Sequence, residues 1–404
     1  MKTTLLSLGL LLLNLFIFGQ AKPDSSFTFP VQVSFLPPLS TNGMANANQI
    51  NNLSFNILAG YAGGLNGIEL GGFANILKGQ MQGIQLAGFA NVVGGETQGI
   101  QMAGFCNVNQ KAVKGLQMAG FTNVVSDSVE ALQLAGFANV VSGTTEGWQS
   151  AGFLNITTGD VKGFQIAGFM NLAGKNLQGG QIAGFYNQTT DSVDGGQIAG
   201  FMNMTNGLIQ GAQVSGFLNV ARRLKGTQIG FINICDTLES GTPFGFLSII
   251  RKGGYMALEV SADETFFANA SWKTGGKALY NIFTISARPG NTNYWGWGYG
   301  FGSHLKSTGK FRINLDLTAT HVNDNTLWTN HLNLLSRAKL GFTWQAAKHF
   351  AISAGPTFNV LTRNSNVSEP NNFVAPIAPY NVYKKNHNGT QVIIWPGAHL
   401  SIRF

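Results

Sequence analysis

Gly99-Ile100-Gln101-Met102-Ala103-Gly104-Phe105-Cys106-Asn107 is the stretch on which the fold of this chain turns. The same pattern, G-x-Q-x-A-G-F-x-N, returns along the chain. Phe73, Phe89, Phe105, Phe121, Phe137, Phe153, Phe169, Phe185, Phe201 and Phe217 are each sixteen residues apart, and Phe231 follows after fourteen. Gly precedes every one of these phenylalanines, and Asn stands two places after each, as in Asn107 and Asn139. Gln stands four places before nearly all, as in Gln101 and Gln133, with Glu69 in its place in the first copy. Between units lie turn-forming tetrads such as Thr157-Thr158-Gly159-Asp160, so each repeat reads as strand plus short turn.

Strict alternation puts Gln101, Ala103, Phe105 and Asn107 on one face and Ile100, Met102, Gly104, Cys106 and Val108 on the other. Neither face looks built for water; charges such as Lys114, Glu130 and Asp194 gather at strand ends. Two architectures fit. In a β-solenoid, like residues stack on like from coil to coil, and a kink at the Gly before Phe lets Ile and Phe both point inward. In an antiparallel barrel, one face meets lipid and the other the lumen, and an odd-numbered turn pairs Phe105 with Gln117 and Ala103 with Ala119. The constant period favours the solenoid and the scarcity of charge favours the barrel. The adopted expectation is all-β: an antiparallel outer-membrane-type barrel with the repeats as successive strands. The alternative is a solenoid array followed by a small barrel of about eight strands.

Composition supports an unusual environment. Of the 404 residues only 10% are charged, against 44% hydrophobic, with 53 Gly and 30 Phe. An ordinary soluble domain carries roughly a quarter charged residues. So many aromatics and so few charges exclude disorder, and Gly does not recur at the collagen period. The N-terminus has Lys2, the apolar run Leu5 to Phe18 and then Gly19-Gln20-Ala21, which reads as a secretory signal peptide over residues 1–21. Cleavage there lowers the formal charge from +8 to +7. The basic residues are scattered, so nucleic acid is not an expected partner. Cys106 and Cys235 lie eight repeats apart, too distant for a disulfide in any regular β-array, and read as small buried hydrophobes.

The organisation expected after the signal peptide is an N-terminal strand and loop over 22–50, the repeats over 51–241 and a barrel region over 242–404. In the last region several segments alternate. Phe311, Ile313, Leu315 and Leu317 oppose Arg312, Asn314, Asp316 and Thr318; Leu334, Ala338, Leu340 and Phe342 oppose Arg337, Lys339, Gly341 and Thr343. Val392, Ile394, Leu400, Ile402 and Phe404 oppose Gln391, His399, Ser401 and Arg403. In Trp295-Gly296-Trp297-Gly298-Tyr299-Gly300-Phe301-Gly302 every aromatic falls on one face and every Gly on the other. These lengths suit tilted membrane strands, but a soluble barrel with its apolar face inward gives the same alternation. The polar stretch Thr362 to Gly389 is expected to be an external loop, with Lys384-Lys385 and Asn386-His387-Asn388 as its contact-making residues.

The closing segment, with Gly397, Leu400, Ile402 and Phe404, resembles the last strand of bacterial outer-membrane barrels, which ends on an aromatic residue. The whole pattern resembles a family of bacterial surface-repeat proteins: a signal peptide, tandem G-x-Q-x-A-G-F-x-N units and a barrel-like C-terminal region. That resemblance implies export to the outer membrane or surface of a Gram-negative-type bacterium, with outer-membrane lipid and the barrel-insertion machinery as partners. It carries over no activity and no ligand.

Chemistry has few footholds. The six histidines form no helical metal-binding pair, and there is no nucleophile elbow or phosphate loop, so no catalytic residue, cofactor or metal is expected. Asp263-Glu264 is a candidate carboxylate pair, though a solvated turn is the simpler account. Arg312, Asp316, Arg337 and Lys339 are expected to face inward, as pore lining or as an internally satisfied network. The Gln101/Gln133, Phe105/Phe137 and Asn107/Asn139 columns are expected to be structural, although a linear polymer laid along them is conceivable. The function expected is a non-enzymatic surface or outer-membrane protein with a structural, adhesive or surface-presenting role; a passive channel and, behind it, an envelope hydrolase are the alternatives. If the Phe column is buried, Phe137→Ser should lower stability by about 3–5 kcal/mol in a melting experiment.

Overall fold

The computed structural model describes residues 27–290, 293–324, 328, 331–364 and 377–404. The proposed signal peptide therefore lies outside the described residues. The chain forms a β-solenoid of about 13 turns followed by a closed eight-stranded antiparallel barrel. It divides into two compact units, Met1–Gly147 and Trp148–Phe404. The first is coil stack; the second begins as coil stack and ends as barrel.

In the first unit each coil has a long strand such as Thr97–Ala103, a corner at Gly-Phe, a short strand such as Cys106–Asn109 and a turn. Pairing is parallel and in register from coil to coil: Gln101 opposes Gln117, Ala103 opposes Ala119, and Asn107 opposes Asn123. The repeats are therefore not antiparallel barrel strands, and the alternative, a solenoid array followed by a small eight-stranded barrel, is the architecture found. A period of sixteen with no insertions places each residue over its own equivalent, and only parallel stacking of coils uses that identity.

The corner also corrects the assignment of faces. The strand stops at Ala103 and resumes at Cys106, so alternation fails across Gly104-Phe105. Gln101, Ala103 and Asn107 point inward, while Ile100 is only partly buried and Phe105 points outward and is 40% exposed, so the expectation that Ile and Phe both turn inward is not met. The column from Phe73 to Phe137 is a surface stack with ring centroids 4.7–4.9 Å apart and planes within 5°. Gly at the corner is required by closeness. A Cβ on Gly104 would stand 2.1 Å from the carbonyl oxygen of Gly88 one coil earlier. The second unit repeats this design: Leu177 opposes Val193, Gln181 opposes Gln197, and Phe153, Phe169, Phe185 and Phe201 stack at 4.8–5.0 Å. Its apolar core is one column of small and branched residues including Val161, Leu177, Val193, Ile209 and Leu224. Both cysteines are free; Cys235 is buried, whereas Cys106 is only partly so.

The barrel strands are Tyr255–Asp263, Ala268–Gly275, Tyr280–Arg288, Tyr294–Thr308, Phe311–Asp324, Asn333–Ala347, Phe350–Asn364 and Thr390–Arg403. Each pairs antiparallel with the next, and the last closes on the first, with Val260 opposite Ile402. Polar side chains point inward: Asn269, Ser271, Ser286, Asn314, Thr343, Ser353 and Asn359 are all buried. Apolar ones point outward, with Leu258, Ile285, Leu317, Phe342, Phe358 and Leu400 each more than half exposed. The soluble alternative, with the apolar face inward, is not the arrangement found. In the Trp295–Gly302 run the glycines line the interior because nothing larger fits. A Cβ on Gly302 would lie 2.2 Å from the Tyr280 ring and 2.5 Å from Asp316.

Connections differ between the two ends. At one end the strands are joined by the segment 276–279 and the tight turns Gly309-Lys310 and Lys348-His349. At the other the connections are 264–267, 289–293, 325–332 and the chain from Asn364 to Thr390. Within the long connection, Tyr383–His387 is a strand that pairs with the start of the last barrel strand. Its turn at Asn388-Gly389 has φ of 46° and 76°, the left-handed conformation that makes Asn-Gly a hairpin signal. The last coil of the second unit joins the short-turn end. Ser248 N–H donates to Asn281 Oδ1 at 2.9 Å, Thr274 Oγ1 donates to the Ser248 carbonyl at 2.9 Å, and Phe246 stacks on Tyr299 at 4.8 Å.

Because the corner tolerates no Cβ while the Phe ring is half in solvent, the smaller change should cost more. Gly104→Ala is expected to lower stability by about 2–3 kcal/mol through overpacking, and Phe137→Ser by only about 1–2 kcal/mol for its partial burial. Denaturant titrations followed by circular dichroism compare the two; the reverse order would show the Phe column is buried.

Candidate functional site

The Gln and Asn columns are wholly inside the coils, where a buried amide costs free energy unless its donors and acceptor are met. Stacking provides the partners. Gln101 Nε2 donates to Gln85 Oε1 at 2.9 Å and Gln117 Nε2 donates to Gln101 Oε1 at 2.9 Å, with Gln133 next at 2.7 Å. Asn107 Nδ2 donates to Asn123 Oδ1 at 2.9 Å and to the Met118 carbonyl at 2.7 Å, and Asn123 continues to Asn139 at 2.8 Å. The Gln column donates toward the start of the chain and the Asn column toward its end, so their amide dipoles oppose. In the second unit the Gln column runs from Gln149 to Gln228 and the Asn column from Asn155 to Asn233 in the same two senses. Neither column reaches solvent, so a polymer laid along these repeats would meet the Phe stack and not the amides.

Glu69 explains itself at the head of the Gln column. An acceptor is needed there, and its carboxylate receives Gln85 Nε2 at 2.8 Å, Asn56 Nδ2 at 2.9 Å and Ser54 Oγ at 3.2 Å. Burial pushes this carboxyl above the ordinary range, an effect that the three hydrogen bonds partly offset. The protonated form is thus favoured in the folded state. Its stabilising effect is complete below the unfolded value of about 4.3 and is lost as pH rises through the raised folded value.

Inside the barrel, three of the four expected lumen residues meet. Arg337 Nη1 donates to Asp263 Oδ2, and Lys339 lies 3.5 Å from the same oxygen. Asp316 takes Lys273 Nζ at 2.6 Å, and the same ammonium donates to Glu259 at 2.6 Å. Arg403 Nε donates to Glu259 while its Nη1 reaches Asn314 at 3.1 Å and Thr343 at 3.0 Å. Tyr280 OH donates to Asp316. Lys273, Arg337, Lys339 and Arg403 thus face Glu259, Asp263 and Asp316, four cations against three carboxylates, nearly all out of water. Arg312 stands apart, at the short-turn end and partly exposed.

The lumen is filled. The space enclosed by Glu259, Lys273, Asp316, Arg337 and Lys339 is about 10 Å³, room for about one water. Toward the long-loop end Phe266, Val322, Leu335, Leu361, Ile393 and Trp395 make a buried apolar plug, with the Arg337 guanidinium 5.5 Å from the Phe266 ring centre. The Asp263-Glu264 pair is not a solvated turn. Asp263 also accepts the backbone N–H groups of Thr265 and Phe266 at 3.0 and 2.7 Å. Glu264 accepts Asn359 Nδ2 at 2.8 Å, Trp395 Nε1 at 3.2 Å and the Ala398 N–H at 3.0 Å. Both carboxylates tie loop to barrel wall.

Sequence reasoning missed Glu259 and Lys273 as partners of this network; each is an isolated charge in an apolar-polar alternation, the signal that marks an inward position. Of the expected external loop, Tyr383–His387 is exposed along its length, while 365–376 lies outside the described residues. No group of three or more metal-ligating side chains occurs among the described residues.

Two outcomes follow. Glu69→Gln should match the parent at pH 4 and melt progressively higher than it as pH rises toward 8; parallel profiles would show that Glu69 is not held protonated. Lys273→Met, which leaves two buried carboxylates short of a partner, should cost about 3–5 kcal/mol, read as a lower temperature for loss of the compact gel form, while Arg312→Gln leaves that temperature unchanged. No family model matches the chain, and no curated protein or solved structure matches it.

Proposed function

We propose that the chain is a non-enzymatic outer-membrane protein whose barrel anchors a coil stack in the bacterial envelope. The observation that carries this reading is the barrel's inversion: an apolar exterior around a charged, hydrogen-bonded interior. In water that exterior is an unfavourable surface far larger than a monomer normally exposes, whereas in lipid it is the expected one. Trp272, Trp297, Trp344 and Phe404 on the outer surface suit the boundary between headgroups and acyl chains.

Barrels of this class keep short turns on the periplasmic side and long loops outside. The coils of the second unit join the short-turn end, which supports a periplasmic coil stack and weighs a scaffolding role in the envelope above adhesion or surface display. The Phe stack, its residues 37–52% exposed, is the surface such a scaffold offers. A passive channel gains no support from a lumen closed by an ion network and an apolar plug. A hydrolase gains none from carboxylates already committed to the barrel wall.

The full chain, extracted from outer membranes without boiling, should migrate as a compact species that shifts on heating. Protease added to intact cells should cut only in the connection between Asn364 and Thr390, and should reach the repeats only after the outer membrane is permeabilised. Cleavage of the repeats on intact cells would overturn the periplasmic placement. In planar bilayers the folded protein should be silent; steady single-channel steps would restore the channel.

A further inference from the structure

A recess of about 490 Å³ opens at the short-turn end of the barrel. Lys277, Arg312, Lys348, His349 and Arg403 line it with no Asp or Glu beside them; the main-chain carboxylate of Phe404, which accepts the Leu258 N–H, also borders it. Among the described residues neither Lys277, Arg312 nor Lys348 takes part in an ion pair. Arg403 is held from within: its Nε and Nη1 are committed to Glu259, Asn314 and Thr343. Its Nη2 has no hydrogen-bond partner, with Asp316 at 3.9 Å, although the side chain is only 6% exposed. The buried Tyr255 hydroxyl, also in the lining, is likewise unpartnered. Cations gathered around one space repel one another unless an anion sits among them. Two orphaned buried donors in the same wall cost free energy until an acceptor arrives.

The rest of the lining is of another kind. Met256, Leu258, Trp272 and Phe404 are exposed side chains of the outer barrel face. The recess therefore crosses the rim, basic on one side and apolar on the other. A tetrahedral phosphate offers acceptors to a guanidinium fork, ammonium groups and a phenol together. An attached acyl chain would continue onto the apolar side.

We propose that this recess binds the phosphate headgroup of an anionic phospholipid, with Arg312, Lys348 and Arg403 on the phosphate and the chains against Leu258 and Trp272. The proposal rests on the reading of the barrel as membrane-embedded. It would place a specific lipid at the rim where the coils join, fixing the barrel's depth in the leaflet.

The test uses the full chain in detergent, mixed with phosphatidylglycerol, with phosphatidylethanolamine or with inorganic phosphate, and compares it with the double variant Arg312→Gln, Lys348→Gln. Native mass spectrometry should show one retained phosphatidylglycerol in the parent, at least tenfold weaker retention in the variant, and weaker retention of the zwitterionic lipid. Inorganic phosphate at millimolar concentration should leave the lipid adduct in place. Equal retention by parent and variant, or none by either, overturns the proposal. Displacement by inorganic phosphate reassigns the recess to a free anion and overturns the lipid. Heat-modifiable mobility is read on the same samples: a normal shift without lipid binding sinks this proposal alone, whereas no shift sinks the membrane barrel with it.

Discussion

The requirement that every buried polar group find a partner governs both halves of this protein, because both have polar interiors. In the coils the solution is repetition. An amide placed at the same position in each coil sits about 4.8 Å from its copy, the spacing at which an amide N–H reaches the next amide oxygen. One Gln or Asn alone would be a buried liability; a column of them satisfies itself. The two columns run in opposite senses, so their dipoles oppose instead of adding along the stack. The ends must differ from the middle. Glu69 supplies an acceptor at the head of the Gln column, while at its tail Gln228 faces Pro243 and its Oε1 is left unpartnered.

The same constraint explains the outside of the coils. The amides and a column of Val, Leu and Ile fill the interior, and the corner at Gly-Phe turns each ring outward. The rings stack on each other, which covers both faces of each ring within the column and leaves the edge in contact with the surroundings. The exposed stripe is thus a consequence of how the interior is filled, and it passes into the aromatic exterior of the barrel through Phe246 on Tyr299.

In the barrel the interior is charged as well as polar, and a closed ring of strands prevents relaxation by slipping register. Lys273 on Asp316 and Arg337 on Asp263 join strands that are not adjacent in the wall and brace the ring across its lumen, while Lys273 on Glu259 ties neighbouring strands. A lumen used in this way is a structural core made of polar groups. This argues for an anchor over a conduit, and it leaves the rim, where Arg403 Nη2 has no hydrogen-bond partner, as the part of the barrel still able to take a ligand.

Periodicity and alternation are local properties, and they were legible. The sixteen-residue unit, its Gln, Phe and Asn columns, the apolar and polar faces of the last strands, the crowded glycine wall and the inward Asp316, Arg337 and Lys339 all follow from residue order. The Asn388-Gly389 turn was equally readable and was missed inside a polar stretch. What residue order could not decide was which of two partners each strand takes, because a parallel neighbour sixteen residues away and an antiparallel neighbour across a turn satisfy the same backbone groups. The bend at Gly104-Phe105, which reverses the fate of the Phe column, depends on a carbonyl belonging to the preceding coil. Whether an apolar face looks into a barrel or out of it is likewise invisible to alternation. It is set when the ring closes: Arg403 meets Glu259 across the closing strand pair, and Lys273 and Arg337 reach Asp316 and Asp263 across the lumen, since charges with no partner outside are stable only where the tertiary structure brings partners to them.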